Sequence, residues 1–264
     1  MSQEFLRPLS ELPVPANLLG VLTDIDDTLT TDGVVPEHAV AAIARLKDAG
    51  LKVVPITGRP VGWSVPFARA WPVESIVAEN GAVALRRNAE GGLDKLYQQD
   101  DDTRVHNFAK MQEVLAQIEA TVPGAQRATD SHGRECDIAV DHSEFTTMSQ
   151  AHIDACVAIM KAAGMNATVS SIHINGWFGE HNKLEGARWI VRELFDLDLD
   201  ATLGQWVYIG DSTNDQLMFQ NVPLSVGVAN IARFVPQLQH LPRYVTEAER
   251  GDGFVQLAEH LLNK

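Results

Sequence analysis

Three apolar runs that each end in a polar residue constrain this chain more than any other feature. Leu18 to Thr23 ends at Asp24-Ile25-Asp26-Asp27-Thr28, Leu51 to Ile56 at Thr57-Gly58-Arg59-Pro60, and Gln205 to Ile209 at Gly210-Asp211. A short apolar run bounded by turn residues reads as a strand buried on both faces, and such strands belong to parallel sheets covered by helices. Helical patterns separate the runs. Pro36-Glu37 opens one, with Val40, Ile43, Ala44 and Leu46 on one face and Gly50 as its stop, and a second leads to Trp71. A further strand near Ser75 to Ala78 ends at Glu79-Asn80-Gly81. Strand, helix, strand at this spacing implies right-handed parallel crossovers. Ligands of an open parallel sheet bind at the carboxyl ends of its strands, and Asp24, Thr57 and Asp211 all fall on that edge.

The rhythm changes in the middle. Asn88 to Gly92 reads as a turn, and Phe108 to Val122 and His152 to Ala163 as helices. Glu135 to Asp141 and Thr168 to Asn175 alternate as strands, which describes a sheet with one face on helices and the other open. Cys136, Ile138, Val140, Ile172 and Ile174 would face the helices, leaving Ser171, His173 and Asn175 on the open face. From Lys183 the α/β rhythm returns, through a helix carrying Leu184, Ala187, Ile190 and Leu194, a strand near Ser225 to Val228 and a final helix. The chain is therefore predicted to be α/β. A discontinuous parallel-sheet core, residues 1–85 and 180–264, is interrupted by an α+β insertion, residues 86–179.

Charge narrows the partners. The formal net charge is −14, which argues against a nucleic-acid surface and against docking on anionic lipid. A phosphate site would have to gather its positive charge locally, from a metal, a Lys and backbone N–H groups. Cys136 and Cys156 are the two cysteines, with no zinc-type spacing, and read as buried thiols of a cytoplasmic protein. The opening Met-Ser-Gln-Glu-Phe-Leu-Arg lacks a basic region followed by an apolar one, so no signal peptide is expected, and no apolar stretch approaches a membrane span.

Residues i and i+2 of a strand point the same way, so Asp24 and Asp26 aim into one site while Ile25 enters the core. Two close carboxylates repel unless a cation or proton intervenes, and a hard divalent ion such as Mg²⁺, which keeps waters and a substrate oxygen, suits them. An arbitrary pair of this kind would be a solvated turn; its place directly after a buried strand changes that reading. Asp211 follows a second such strand and can complete the metal site, with Asp215 holding a metal-bound water. Thr57-Gly58 offers a hydroxyl and a free backbone N–H to a phosphate oxygen. Lys183 would supply the missing positive charge. Asp196, Asp198 and Asp200 read as a solvated loop.

Taken in order, Asp24-Ile25-Asp26-Asp27-Thr28, Thr57, Lys183 and Gly210-Asp211 through Asp215 resemble the four motifs of the haloacid dehalogenase superfamily of aspartate-nucleophile phosphatases. The resemblance spans the core on both sides of the insertion and implies a Rossmann-like sheet. An insertion between the second and third motifs is similar to the cap of subclass IIB, which includes Cof-like, sucrose-phosphate and trehalose-phosphate phosphatases. Asn80-Gly81-Ala82, Val228-Ala229-Asn230 and Gly251-Asp252-Gly253 are also similar to that subclass and read as structural turns. Asp27 stands where the family often has Gly.

The resemblance implies a Mg²⁺-dependent phosphohydrolase acting on a small phosphorylated sugar or polyol. Asp24 would be the nucleophile that forms an aspartyl-phosphate, and Asp26 the acid and base. Asp24, the Asp26 carbonyl and Asp211 would hold Mg²⁺, with Asp215 acting through water. Thr57, the Gly58 N–H, Lys183 and Asn214 would grip the phosphate. In the cap, His173, Asn175 and Arg134 would meet the substrate, with Ser171, Glu135 and Trp177 near them. Two rival functions remain, a phosphomutase or phosphotransferase with the same nucleophile and a non-catalytic phosphate-ligand binder. Retention of Asp24, Asp26, Lys183 and Asp211 argues against the second.

Overall fold

A computed structural model describes residues 5–263; the expected lack of a leader at the extreme N-terminus falls in part outside them. The first stretch contains β1 (Arg7–Pro8), β2 (Gly20–Thr23), α1 (Glu37–Asp48), β3 (Lys52–Pro55) and α2 (Val61–Ala70). Next come β4 (Ile76–Ala78), β5 (Val83–Arg87), β6 (Leu93–Tyr97), α3 (Asp101–Thr121), β7 (Gln126–Arg127), β8 (Ile138–Asp141) and α4 (Gln150–Ala162). The chain ends with β9 (Asn166–Val169), β10 (His173–Trp177), α5 (Lys183–Phe195), α6 (Leu199–Thr202), β11 (Trp206–Gly210), α7 (Gln216–Asn221), β12 (Leu224–Gly227), β13 (Tyr244–Val245) and α8 (Arg250–Leu262).

The core is a six-stranded sheet in the order β1-β13-β12-β11-β2-β3, and every pairing in it is parallel. Its strands feed two apolar cores, one on each face. Val21, Val53, Val207 and Val226 pack toward one, and Leu22, Val54, Trp206 and Tyr208 toward the other. The period of two explains why the central strands β2, β11 and β12 are buried at every position, since both of their faces are covered. Helices α1 and α8 cover the first face, α5 and α7 the second. Within α1 the buried positions are Ala39, Ala42, Ile43 and Leu46; Ile43 and Leu46 belong to the face read from the sequence, Val40 packs half-buried on the same core, and Ala39 and Ala42 widen the stripe. Strand β4 joins the parallel order through a single bridge, Ile56 to Val77, and then pairs antiparallel with the β5–β6 hairpin.

The insertion forms a four-stranded antiparallel sheet, β7-β8-β10-β9, with α3 and α4 on one face. Thr168 to Asn175 is not one strand. It breaks at Ser170, whose hydroxyl accepts from the His173 N–H at 3.0 Å while its own N–H donates to the His173 carbonyl at 2.8 Å. A Ser that bonds its own backbone a few residues on makes a turn, and the polar-apolar alternation runs through it unchanged. Ile174 packs on the helices with Ile138 and Val140, whereas Ile172 sits in the turn.

One close approach places a functional element. Asn80 (φ 54°) and Gly81 (φ 109°) are left-handed, and a Cβ on Gly81 would fall 2.4 Å from the Asn182 carbonyl oxygen. Gly186 returns the fit, because a Cβ there would lie 2.6 Å from Gly81 Cα. Two glycines thus let the loop after β4 pack against the first turn of α5, the turn that carries Lys183. Among the described residues no helix is long and apolar enough to cross a membrane.

Candidate active site

Strands β2 and β11 are neighbours, with Thr23 opposite Ile209, and the Asp24 N–H donates to the Ile209 carbonyl at 2.9 Å. The two strands therefore deliver Asp24 and Asp211 side by side. Asp215, in the turn after β11, folds back onto them: its Oδ2 accepts from the Asp211 and Ser212 N–H groups at 2.9 and 3.0 Å. Its Oδ1 accepts from Lys183 Nζ at 2.6 Å and from the Tyr208 hydroxyl. Lys183 Nζ also lies 2.8 Å from Asp24 Oδ1. Asn182 caps α5, its Oδ1 accepting from the Leu184 and Glu185 N–H groups at 2.9 and 3.0 Å, which orients the Lys183 turn. Asp24, Asp211, Asp215 and Lys183 are all buried.

This cluster is short of positive charge. Burial pushes the Asp24 carboxyl up to about 7, against the pull of Lys183, with Asp215 and Asp26 adding to the rise. Burial, then Asp24 and Asp215, drive Asp211 well above the carboxylate range. Burial also works against the Lys183 ammonium, but Asp215 and Asp24 hold it above its ordinary value. One oxygen from each of Asp24, Asp211 and Asp215 lies within 4.8 Å of the others. Asp211 Oδ1 is buried and has no hydrogen-bond partner. Crowded hard oxygen donors with one unpartnered member fit a small divalent cation such as Mg²⁺. The Asp26 side chain stands outside this cluster and is turned to Arg59.

Asp27 has φ 52°, a left-handed conformation that Asp tolerates better than most residues. Arg233 Nη2 bonds its carboxylate at 2.6 Å and approaches Asp211 Oδ2 at 3.2 Å. Asn230, read from sequence only as part of a turn, donates to the Asp27 carbonyl at 3.0 Å and to Asp211 Oδ2 at 3.3 Å, and accepts from the Arg250 N–H at 2.8 Å. It ties the loop after β12 to Asp211. Asn214 lines a cavity of about 630 Å³ that reaches Lys183, Asn80, Thr168 and Trp177, and its Oδ1 bonds Ser212 Oγ at 3.0 Å.

Thr57 and Gly58 lie at the end of β3, next to β2. Thr57 is buried and its hydroxyl accepts from the Arg59 N–H at 3.0 Å. Gly58 faces two amides: a Cβ there would meet Asn80 Nδ2 at 3.3 Å and Asn175 Oδ1 at 3.4 Å. The substrate-facing surface expected to be open is closed onto the core. Asn175 Nδ2 donates to Asp137 Oδ2 at 3.0 Å, and His173 Nε2 pairs with Glu144 Oε2 at 2.9 Å. Arg134 Nη1 donates to Asp137 Oδ1 at 2.7 Å and to the Gly58 carbonyl at 3.0 Å. Ser171 lies in the β9–β10 turn, and Trp177 packs in the apolar core of the insertion, its Nε1 donating to the His181 carbonyl at 2.8 Å.

Arg59 had no role in the reading from sequence. It is 5% exposed and contacts both halves of the molecule. Its Nε donates to Asp26 Oδ1 and Oδ2 at 2.9 and 3.1 Å, Nη1 to Asp130 Oδ2 at 3.2 Å, and Nη2 to Glu144 Oε1 at 2.8 Å. The only signal in the sequence was its place directly after Thr57-Gly58 on the ligand edge. Glu79, also passed over, is fully buried and accepts from the Val61 N–H at 2.9 Å and from the Glu135 N–H at 3.0 and 3.1 Å, joining the core to the insertion. Burial, with Asp137 adding, raises its carboxyl to about 8.

The Glu144 contact carries a pH dependence. Burial alone would raise this carboxyl, but hydrogen bonds from His173 and Arg59 outweigh it and hold it at about 2, against an ordinary value of 4.5. A depressed folded-state value stabilises the contact fully above the unfolded value and loses it as pH falls toward the folded one. Hydrogen exchange at Glu144 and His173 should thus be steady from about pH 5 to 7, beyond its intrinsic pH dependence, and rise between about 4.5 and 2. Glu144→Gln should remove that acid-side step; a step that persists in the variant would assign it to another group.

Comparison with known proteins agrees with this architecture. A family model described as haloacid dehalogenase-like hydrolase matches residues 21–132. The chain is 27% identical over 243 residues to a phosphoglycolate phosphatase of Methanosarcina mazei, covering 91% of this chain and 95% of that one. A Thermoplasma acidophilum crystal structure superposes with a TM-score of 0.70 at 17% identity, covering 94% of this chain and 99% of the other. The sucrose-phosphatase of Synechocystis, solved with sucrose and phosphate, gives 0.66 at 16% identity over 92% and 97%. These two show a shared fold. Over residues 21–132 the chain is similar to the haloacid dehalogenase-like hydrolases, and its parallel core with an inserted antiparallel sheet is the fold it shares with these solved structures.

Proposed function

We propose that the protein is a Mg²⁺-dependent phosphomonoester hydrolase that works through an aspartyl-phosphate and acts on a small phosphorylated sugar or polyol. The carrying observation is Asp24, buried at the carboxyl end of β2 between Lys183 Nζ at 2.8 Å and an Asp211 whose Oδ1 has no partner. A carboxylate there can attack phosphorus, forming the Asp24–phosphorus bond as the ester oxygen leaves. Asp26 gives its proton to the departing alkoxide, then takes one from the water that releases phosphate and restores Asp24. Lys183 and the Thr57-Gly58 turn hold phosphoryl oxygens, which is most of what phosphoryl transfer asks of a protein. Asp24, Asp211 and the Asp26 carbonyl would hold Mg²⁺, with Asp215 acting through water, and the bound ion would supply Lewis-acid charge for the phosphoryl oxygens.

The insertion supports an uncharged, hydroxylated leaving group. Beside the Arg59–Asp26 pair it places Asp130 and Glu144, and it holds Asp130 and Asp137 against Arg134, so these two arginines are already matched by carboxylates and offer no surplus positive charge to a second anion. Carboxylates accept well from hydroxyls. The cavity beside Lys183 is lined by Asn80, Asn166, Asn182, Asn214 and Gln216, amides that both donate and accept. The two buried free thiols fit a reducing, cytoplasmic setting.

The test is phosphate release from a panel of sugar and polyol phosphates, nucleotides and phosphoglycolate, with Mg²⁺ and with EDTA. Release from a sugar or polyol phosphate that stops with EDTA and returns with Mg²⁺ is the expected result. Preference for phosphoglycolate would overturn the leaving-group reading and keep the hydrolase; EDTA-resistant release would overturn the metal assignment.

A further inference from the structure

Arg59 links two things that the proposed chemistry needs at one moment. It belongs to the core, as does Asp26, whereas Asp130 and Glu144 belong to the insertion. The guanidinium is planar, so its donor positions are fixed relative to one another. A carboxylate that shifts on one side of it moves the geometry on the other. Arg134 makes the reciprocal contact: from the insertion it reaches the Gly58 carbonyl of the core at 3.0 Å and meets Asp130 Oδ1 at 3.2 Å, so Asp130 lies between two arginines. The Trp63 ring lies 5.0 Å from the Arg59 guanidinium carbon and backs it. Exposed ion pairs contribute little, but at this burial a charge left without its partner is costly. Withdrawal of Asp130 and Glu144 therefore cannot leave the Arg59–Asp26 contact unchanged.

We infer that Arg59 is a positioning residue that couples closure of the insertion to the placement of the Asp26 carboxyl. The inference rests on Asp26 being the acid of the phosphatase reading. In the closed arrangement both Asp26 oxygens are turned to Arg59, and Asp130 and Glu144 hold the far side of the same guanidinium. Leaving-group hydroxyls arriving beneath the insertion compete for Asp130 and Glu144, and so bear on Asp26 through Arg59. Substrate that fills the closed site thereby sets the acid, and water alone does not.

The test is a double-mutant cycle read in kcat and KM separately, with closure followed by small-angle scattering. Arg59→Gln should lower kcat by about 10²-fold, the size expected when a reacting group is displaced by about an ångström. Asp130→Asn with Glu144→Gln should raise KM about tenfold and lower kcat less. Combined with Arg59→Gln, the same pair should lower kcat no further, because the connection is already cut. Arg59→Lys, which keeps the charge and loses the fork, should behave like Arg59→Gln. If Arg59→Gln does not fold, Arg59→Lys takes its place in the cycle. Additive kcat effects, or Arg59→Lys with wild-type kcat, would overturn the coupling while the phosphatase reading stands. A wild type that releases no phosphate from any ester would overturn the phosphatase reading, and the coupling with it.

Discussion

Asp24→Asn should abolish phosphate release, by about 10⁴–10⁶-fold, the range seen when a catalytic nucleophile is removed. An amide matches the carboxylate in shape but is not a nucleophile toward phosphorus. The fold should survive the change. Lys183 keeps Asp215 at 2.6 Å, and removing the Asp24 charge relieves its repulsion with Asp215 and Asp26. Because burial raises the Asp24 carboxyl to about 7, its ionised form weakens the folded state as pH rises from its ordinary value of 3.8 to about 7. The variant measured without metal at pH 7.5 should therefore melt at or above the wild-type temperature. Phosphate release and thermal unfolding on one preparation test both halves. Activity that survives, with deamidation back to Asp excluded by mass spectrometry, would remove Asp24 as the nucleophile; a large fall in Tm would show that its charge supports the fold.

Asp215→Ala should cost far more stability than Asp211→Ala, although both residues are fully buried carboxylates. Asp215 accepts from Lys183, Tyr208 and the N–H groups of Asp211 and Ser212. Its loss leaves a buried ammonium with Asp24 alone and strands two backbone donors. Breaking a buried pair from one side costs about 3–5 kcal/mol, which in a chain of this size lowers Tm by roughly 10 °C. Asp211 has an unpartnered oxygen and a carboxyl driven well above its ordinary range. Its removal relieves crowding while giving up the Arg233 and Asn230 contacts at 3.2 and 3.3 Å, so Asp211→Ala should keep its Tm within a few degrees and lose the thermal shift expected from Mg²⁺ in the wild type. Calorimetry of both variants, with and without Mg²⁺, makes the comparison. Equal losses would show that these carboxylates share one structural role.

Much of the candidate site was legible along the chain because its parts announce themselves locally. A run such as Leu18 to Thr23 needs both faces covered, and the polar residue that ends it lies at the sheet edge whatever else the chain does. The order Asp24, Thr57, Lys183, Asp211 could be read for the same reason. Local pattern failed where two conformations share one pattern. Alternation runs across Ser170 in a single strand and in a hairpin alike, and only the Ser170–His173 hydrogen bonds distinguish them. The buried stripe of α1 also takes in Ala39 and Ala42, beyond the Ile43 and Leu46 read from the sequence, and α8, from the far end of the chain, packs on that helix.

The sequence by itself determined the α/β architecture, the carboxyl-end residues and their order, since periodicity, turn residues and strand polarity act over a few neighbours. Tertiary structure alone decided that β2 and β11 are adjacent, so that Asp24, Asp211, Asp215 and Lys183 share one buried volume. It alone turned the face of the insertion that carries His173 and Asn175 onto the core, and it alone made Arg59 a buried cation joining Asp26 to Asp130 and Glu144. The physical reason is that burial and charge pairing depend on residues far apart in the chain meeting in space, and the value of a charge is set by that meeting.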